Sequence, residues 1–243
     1  MSYDLAVVGA GILGLAHAHA AATRGKSVVV LERDAFAVGA SIRNFGFITV
    51  TGQQAGECWD MARRSRDVWL NVAAAACIPI LHRGLVVASR RAEGDAVIDA
   101  FLETDMGHEC RRLTPEAALD QVPALRSDQL TSVLYSPHEI RVESREAIPR
   151  IAACLAEQHG VTFHWETAVH AVAAPTLETT RGRISAETIV VCTGDDFQGL
   201  YADRLAAYDL TRSKLHMIRI RPGRNFQLGA AVMSDLGLAR YAG

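Results

Sequence analysis

Apolar positions along the chain fall into two kinds of pattern. Short continuous runs occupy residues 5–8 (Leu-Ala-Val-Val), 27–31 (Ser-Val-Val-Val-Leu) and 188–192 (Thr-Ile-Val-Val-Cys). Runs of this length and composition are expected of central parallel strands covered on both faces. Other stretches repeat their apolar residues at helical spacing. An alanine-rich segment containing Leu13, Ala16, His17, Ala20, Ala21 and Arg24 follows the first run, and Gly25 ends it. Residues 56–76 carry Cys58, Ala62, Ser65, Trp69, Val72 and Ala76 at spacings of four and three, predicting an amphipathic helix with that face inward. A further helix is predicted over 95–106, with Val97, Ile98, Phe101 and Leu102 inward. Thr114 before Pro115 reads as an N-cap followed by proline at the first helical position. Residues 146–159 are helical and stop at Gly160. Strands are predicted at 85–89, 130–136, 161–165, Val169–Ala173 and 214–220, with a hairpin turn at Arg181-Gly182.

The junction between the first strand and the first helix carries the chemistry. Gly9-x-Gly11-x-x-Gly14 follows residues 5–8 at once, and the second strand closes on Glu32. In a strand–turn–helix–strand unit the three glycines serve different ends. Gly9 permits a tight turn, Gly11 lets a pyrophosphate approach closely, and Gly14 lets helix and strand pack closely. The helix N-terminus then presents free N–H groups and the positive end of its dipole to the phosphates. Glu32 stands where a carboxylate accepts hydrogen bonds from an adenosine ribose, and its charge disfavours a 2′-phosphate. The predicted architecture is α/β, a Rossmann-like unit with a parallel central sheet. The fingerprint leaves FAD and NAD both open.

Composition narrows the class further. The chain has 243 residues, with 49% apolar and 21% charged, enough to bury a core without disulfide or metal staples and unlike a disordered chain. A net charge of −2, with arginine pairs scattered rather than clustered, argues against a nucleic-acid surface. Five cysteines without a CxxC pair argue against a secreted disulfide framework and a zinc site. Residues 5–23 are uncharged, but their tight glycines and two histidines, with no basic residue before them, read as strand, turn and helix rather than membrane anchor or signal. The expected location is the cytoplasm.

After Glu32 the chain continues Arg33-Asp34 and then Gly39-Ala40-Ser41-Ile42-Arg43-Asn44-Phe45-Gly46. Here the sequence resembles the FAD-dependent amine and amino-acid oxidoreductases: D-amino-acid oxidase, glycine oxidase and sarcosine oxidase relatives. The Ser-Ile-Arg-Asn-Phe-Gly wording is similar to a bacterial subgroup associated with aminophosphonates. The run at 188–192 ends in Thr193-Gly194, close to the Ala-Thr-Gly strand end that passes the flavin in this family, with Cys192 in the usual alanine place. The resemblance implies FAD as cofactor and an FAD-binding domain interleaved with an α+β substrate domain. The expected segments are 1–46 and 144–205 for the first, and 47–143 and 206–243 for the second. It also implies hydride transfer from the amine-bearing carbon to flavin, with molecular oxygen as the acceptor that reoxidises it.

The expected cofactor-binding set is Gly9, Gly11, Ile12, Leu13, Gly14, Glu32, Arg33, Ala40, Ser41, Val169, Thr193 and Gly194. For the substrate, an anionic group calls for arginine, so Arg43 is the first candidate, with Asn44 and His138 beside it in the catalytic set. Arg141, Lys214 and His216 are weaker alternatives. Each has a plainer reading: Arg43 and Asn44 as loop supports, Trp59 and Trp69 as core, and Cys192 as a packing residue rather than a redox thiol. No metal site is expected. The predicted partners are a small amine substrate and oxygen, with no nucleic acid and no membrane. Two other readings stand beside the oxidase: a flavin- or NAD-linked dehydrogenase of hydroxy acids, and an incomplete flavoprotein or one subunit of a split enzyme. The last follows from length, since the family usually exceeds 300 residues and adds a late glycine-rich segment that has no counterpart here.

Overall fold

A computed structural model describes residues 2–223 and 227–237. In chain order the elements are β1 (Ser2–Val8), α1 (Ile12–Ala22), β2 (Val28–Leu31), β3 (Phe47–Ile48), α2 (Glu57–Ala75), β4 (His82–Ser89), α3 (Ala92–Leu102), β5 (Arg111–Leu113) and α4 (Pro115–Ala118). They continue with β6 (Ser132–Arg141), α5 (Ser144–His159), β7 (Thr162–His164), β8 (Val169–Ala173), β9 (Thr176–Thr179), β10 (Gly182–Val191), α6 (Ala202–Ala206) and β11 (Ala231–Ser234). By contacts the chain divides into two units, each drawn from three segments: Met1–Phe45, Ala75–Ile78 and Ser144–Ile218 form one, and Gly46–Ala74, Pro79–Glu143 and Arg219–Gly243 the other.

The first unit is built on a six-stranded sheet of order β7-β2-β1-β10-β9-β8. Its β7, β2, β1 and β10 run parallel, while β9 and β8 return as antiparallel hairpins. The continuous apolar runs sit at its centre, where alternate side chains serve opposite faces. Ala6, Val8, Val29 and Leu31 pack on one face with Leu177 and Ala186. On the other, Val7 meets the start of α1, which buries Gly14, Leu15 and Ala18. The 188–192 run belongs to a longer strand, because β10 continues back through the hairpin to Gly182.

The second unit carries a sheet of order β11-β4-β6-β3, with β5 also pairing β6. Leu85, Val87 and Leu134 meet Ile98 of α3 on one face. Val86 and Val133 meet Ala118 and Val122 on the other. Thr114 caps α4 by accepting the Ala117 N–H at 3.2 Å, as its sequence predicts.

Four local expectations change. The inward face of α2 holds Trp59 and Ala73, with Ala62, Arg66, Trp69 and Leu70 half-buried, whereas Cys58 and Ser65 face solvent. Burying an indole outweighs burying a thiol, and the helix turns accordingly. In α3 Ile98 is fully buried but Val97 is 46% exposed. The strand expected at 130–136 runs on to Arg141, because the register shifts between Arg83 and Leu85 and Pro137 sits exposed in the resulting bulge, where its missing N–H costs no ladder bond. Residues 214–220 form no strand: their side chains, Ile218 at 83% and Ile220 at 80% among them, are exposed. Alternation alone does not hold a strand that has no pairing neighbour.

Candidate functional site

The sheet of the first unit ends in a crevice of about 430 Å³ at the carboxyl ends of β1, β2 and β10. Gly9 makes its floor. The residue adopts φ +105°, and a Cβ there would be driven into the carbonyl of Cys192, just past the end of β10. Gly14 lies too near the Gly9 carbonyl for any side chain, so α1 starts directly against the turn. Gly11 is the N-cap and has no side chain to cap with. Two distant residues complete the turn instead. Glu32 Oε2 accepts the Ala10 N–H at 2.9 Å, and Ser41 Oγ accepts the Ile12 N–H at 2.9 Å. The other Glu32 oxygen accepts the Asp34 N–H at 3.2 Å, leaving lone pairs on both oxygens for further donors. In the first turn of α1, Leu13 and Gly14 carry N–H groups that helix geometry leaves without intrahelical acceptors.

The expected residues come together as follows. Gly9 and Gly11 line the crevice from the β1 turn, Glu32 and Arg33 from the end of β2, and Ala40 and Ser41 from the 3₁₀ turn at 40–42. Val169, Thr193 and Gly194 line it from β8 and the end of β10. Ile12 and Gly14 are not among its lining residues: the Ile12 N–H is taken up by Ser41 Oγ, and Gly14 packs against the Gly9 carbonyl. The Leu13 side chain is 65% exposed, so this residue can serve the crevice only through its backbone. Thr167, Ala168, His170, Asp196 and Leu200 also line the crevice. Thr167, Ala168 and Leu200 stand between elements, with no period to mark them, and nothing in the alternation of β8 singles out His170. Asp196, by contrast, is conspicuous in the sequence as an acid following Thr193-Gly194. Burial pushes the Cys192 thiol pKa up, which suits a packing residue and not a reactive thiolate.

Arg43 ends the 40–42 turn with an exposed side chain. Asn44 Nδ2 donates to the carbonyls of Ala40 at 2.9 Å and Ser41 at 2.8 Å, tying the loop. His138 belongs to the second unit, in the β6 bulge. Its side chain is 4% exposed, with Nδ1 3.5 Å from Glu109 Oε2 and its ring edge-on to Trp59 at 5.5 Å. Burial lowers its pKa against the pull of Glu109 and Glu139, so the imidazole is neutral near pH 7. A cleft of about 380 Å³ adjoins it, walled by Trp59, Arg63, Asp105, Met106, His108 and Glu109. Lys214 and His216 are exposed and do not line the crevice. Among the described residues, no three histidine, cysteine or acidic side chains gather as a metal site.

Sheet order, glycine turn and acid-terminated β2 define a dinucleotide-binding α/β unit. Residues 4–240 match the family of FAD-dependent oxidoreductases (DAO), and the chain belongs to that family, whose cofactor is FAD. Glycine oxidase from Geobacillus kaustophilus (strain HTA426) is 25% identical over 209 residues, 79% of this chain and 54% of the relative. The chain therefore spans about half the length of that relative. A crystal structure of glycine oxidase from Geobacillus kaustophilus superposes with a TM-score of 0.69 at 24% identity, covering 85% of this chain and 58% of the other. L-proline dehydrogenase from P. horikoshii gives 0.69 at 21%, covering 79% and 53%. Dithionite-reduced L-alpha-glycerophosphate oxidase from Mycoplasma pneumoniae, with FAD bound, gives 0.72 at 16%, covering 98% and 66%. These structural likenesses establish a shared fold.

The crevice fits FAD on its own geometry: a glycine turn packed too tightly for side chains at positions 9 and 14, the N-terminal end of α1 beside it, and a carboxylate with free lone pairs just after β2.

Proposed function

We propose that this chain carries the cofactor site of an enzyme that oxidises a small amine, amino acid or aminophosphonate. The carrying observation is the glycine-rich β1–α1 turn, braced by Glu32 and Ser41 at the edge of the crevice. Similarity to glycine oxidase supports the substrate class. FAD, when bound, supplies the two-electron acceptor. The Leu13 and Gly14 N–H groups would hold the diphosphate, aided by the α1 dipole. Glu32 would accept from the ribose hydroxyls, and Thr193-Gly194 would leave room for the backbone to come close to the cofactor. Asn44 keeps the 40–42 turn in shape, and the first unit as a whole is the FAD-binding domain.

Arg43 is the residue proposed to pair with an anionic group of the substrate, as its fork of N–H donors matches a carboxylate or phosphonate. His138, neutral and buried in the proposed substrate domain, is suited to accept a proton or hydrogen bond rather than to act as a fixed cation. In the overall reaction the amine loses a hydride from carbon and a proton from nitrogen. The imine is hydrolysed to a carbonyl compound and ammonia, and oxygen takes up two electrons and two protons as hydrogen peroxide.

The test is anaerobic mixing of the FAD-loaded chain with glycine, other small amines, aminophosphonates and hydroxy acids, followed by air. Bleaching of flavin absorbance by an amine, then rapid return of colour with peroxide, is the expected result. Bleaching by hydroxy acids alone rules out the amine reading. Reduced flavin that persists in air places the acceptor elsewhere than oxygen.

A further inference from the structure

Arg33 follows the carboxyl end of β2, and Asp196 lies in the turn after β10. In the sheet β1 stands between those two strands. With strands about 4.8 Å apart, a contact between these side chains spans roughly 10 Å across the end of β1, which is the crevice itself. The contact is made: Arg33 Nη1 donates to Asp196 Oδ2 at 2.6 Å. The carboxylate is fixed on its other oxygen, where Oδ1 accepts the N–H groups of Gln198 and Gly199, both at 3.1 Å. A Cβ at Gly199 would stand 2.9 Å from Oδ2, so glycine there keeps that oxygen clear for the guanidinium. Arg33 Nε is also 3.5 Å from Asp34 Oδ2. The Gln198 N–H, outweighing partial burial and joined by the Gly199 N–H and the Arg33 charge, holds the Asp196 carboxyl below its ordinary pKa. Both side chains line the crevice beside Glu32.

We propose that the Arg33–Asp196 pair is a clasp over the nucleotide crevice, closing across the adenosine side of bound FAD and setting the rate at which the cofactor leaves. The proposal rests on the crevice being the FAD site. Arg33 and Asp196 are positioning residues here: they retain the cofactor and take no part in the redox step. Asp196, an acid in a place where an anionic ligand must lie close, acquires a purpose, since its charge is spent on Arg33. The same commitment engages the Arg33 guanidinium, so it is not open to a 2′-phosphate next to Glu32.

Release of FAD from the loaded chain, followed by recovery of flavin fluorescence after dilution, tests this. Asp196→Asn keeps an Oδ1 acceptor for Gln198 and Gly199 but loses the charge. It is expected to release FAD roughly three- to tenfold faster, the range of a partly exposed charge-assisted hydrogen bond. Arg33→Gln should do the same, and the double variant should release no faster than the faster single one. Added salt should speed release from the wild type toward the rate of the variants, and affect the variants less. Equal release from wild type and Asp196→Asn overturns the clasp while leaving the FAD site standing, as do effects that multiply in the double variant. A wild-type chain that binds no FAD overturns both.

Discussion

Gly14 has no room for a side chain. A Cβ there would collide with the Gly9 carbonyl and lie 3.1 Å from Val7 Cγ1, so Gly14→Ala must push α1 away from β1. We expect it to cost about 2–4 kcal/mol, seen as a lower urea midpoint with unchanged slope, together with weaker FAD retention. A midpoint equal to that of the wild type refutes the packing account. The need for glycine was legible in the sequence, because turn, spacing and helix start all lie within six residues of one another. What braces the turn was not. Glu32 reaches Ala10 across 22 residues and Ser41 reaches Ile12 across 29. From the sequence Glu32 reads as a carboxylate expected to face a ribose, while its grip on the Ala10 N–H emerges only in the structure. Leu13 shows the reverse: its position at the helix start was legible, but only the structure shows that its side chain is exposed.

At the scale of elements, helical period was readable and helical phase was not. A face containing Cys58, Ser65 and Val72 and one containing Trp59, Arg66 and Ala73 have nearly the same spacing, and His138, which Trp59 and Arg66 both meet, decides between them. The same holds in α3, where adjacent residues have opposite environments. Ile98 packs fully against Leu85, Val87 and Leu134, while Val97 is 46% exposed. Ile98→Ala is therefore expected to cost about 2–5 kcal/mol through lost burial and the cavity left behind. Val97→Ala should fall within about 0.5 kcal/mol of the wild type. Equal losses at the two positions, measured by chemical denaturation, contradict the observed phase. In β6 the proline expected just past the strand instead marks a bulge within it, and this bulge brings His138 against Trp59 and Glu109.

Over the whole molecule the chain passes between two units, and each unit is closed by residues from far apart in sequence. Late in the second unit, Asp235 is 5% exposed. It accepts the Arg90 N–H at 3.2 Å and the Arg91 Nε–H at 3.1 Å. Burial alone would raise its pKa, but these donors and the Arg91 charge bring it below the ordinary value. A carboxyl whose folded pKa is depressed binds its proton more weakly when folded than when unfolded. Its contribution is complete above the unfolded value of about 4 and is lost as pH falls through the folded one. Thermal melts should therefore show the wild type losing more Tm between pH 5 and pH 3 than Asp235→Asn, with the two curves converging in acid. Parallel curves contradict this linkage. Among the described residues no helix is long and apolar enough to cross a membrane.

The sequence by itself determined the parallel-strand runs, the glycine turn, the acid after β2 and, through the wording around Ser41 and Gly194, the flavoprotein family. All of these are short-range signals: a turn, a period or a motif is set by neighbours along the chain. Tertiary structure alone decided which strands lie beside β1, which face of α2 is buried, that 214–220 stays unpaired, and that Arg33 meets Asp196 across 163 residues. Those outcomes depend on which distant segment arrives at each surface. The 243 residues that gave ample material for a folded chain thus supply a braced crevice, because segments remote in sequence converge at the ends of three adjacent strands.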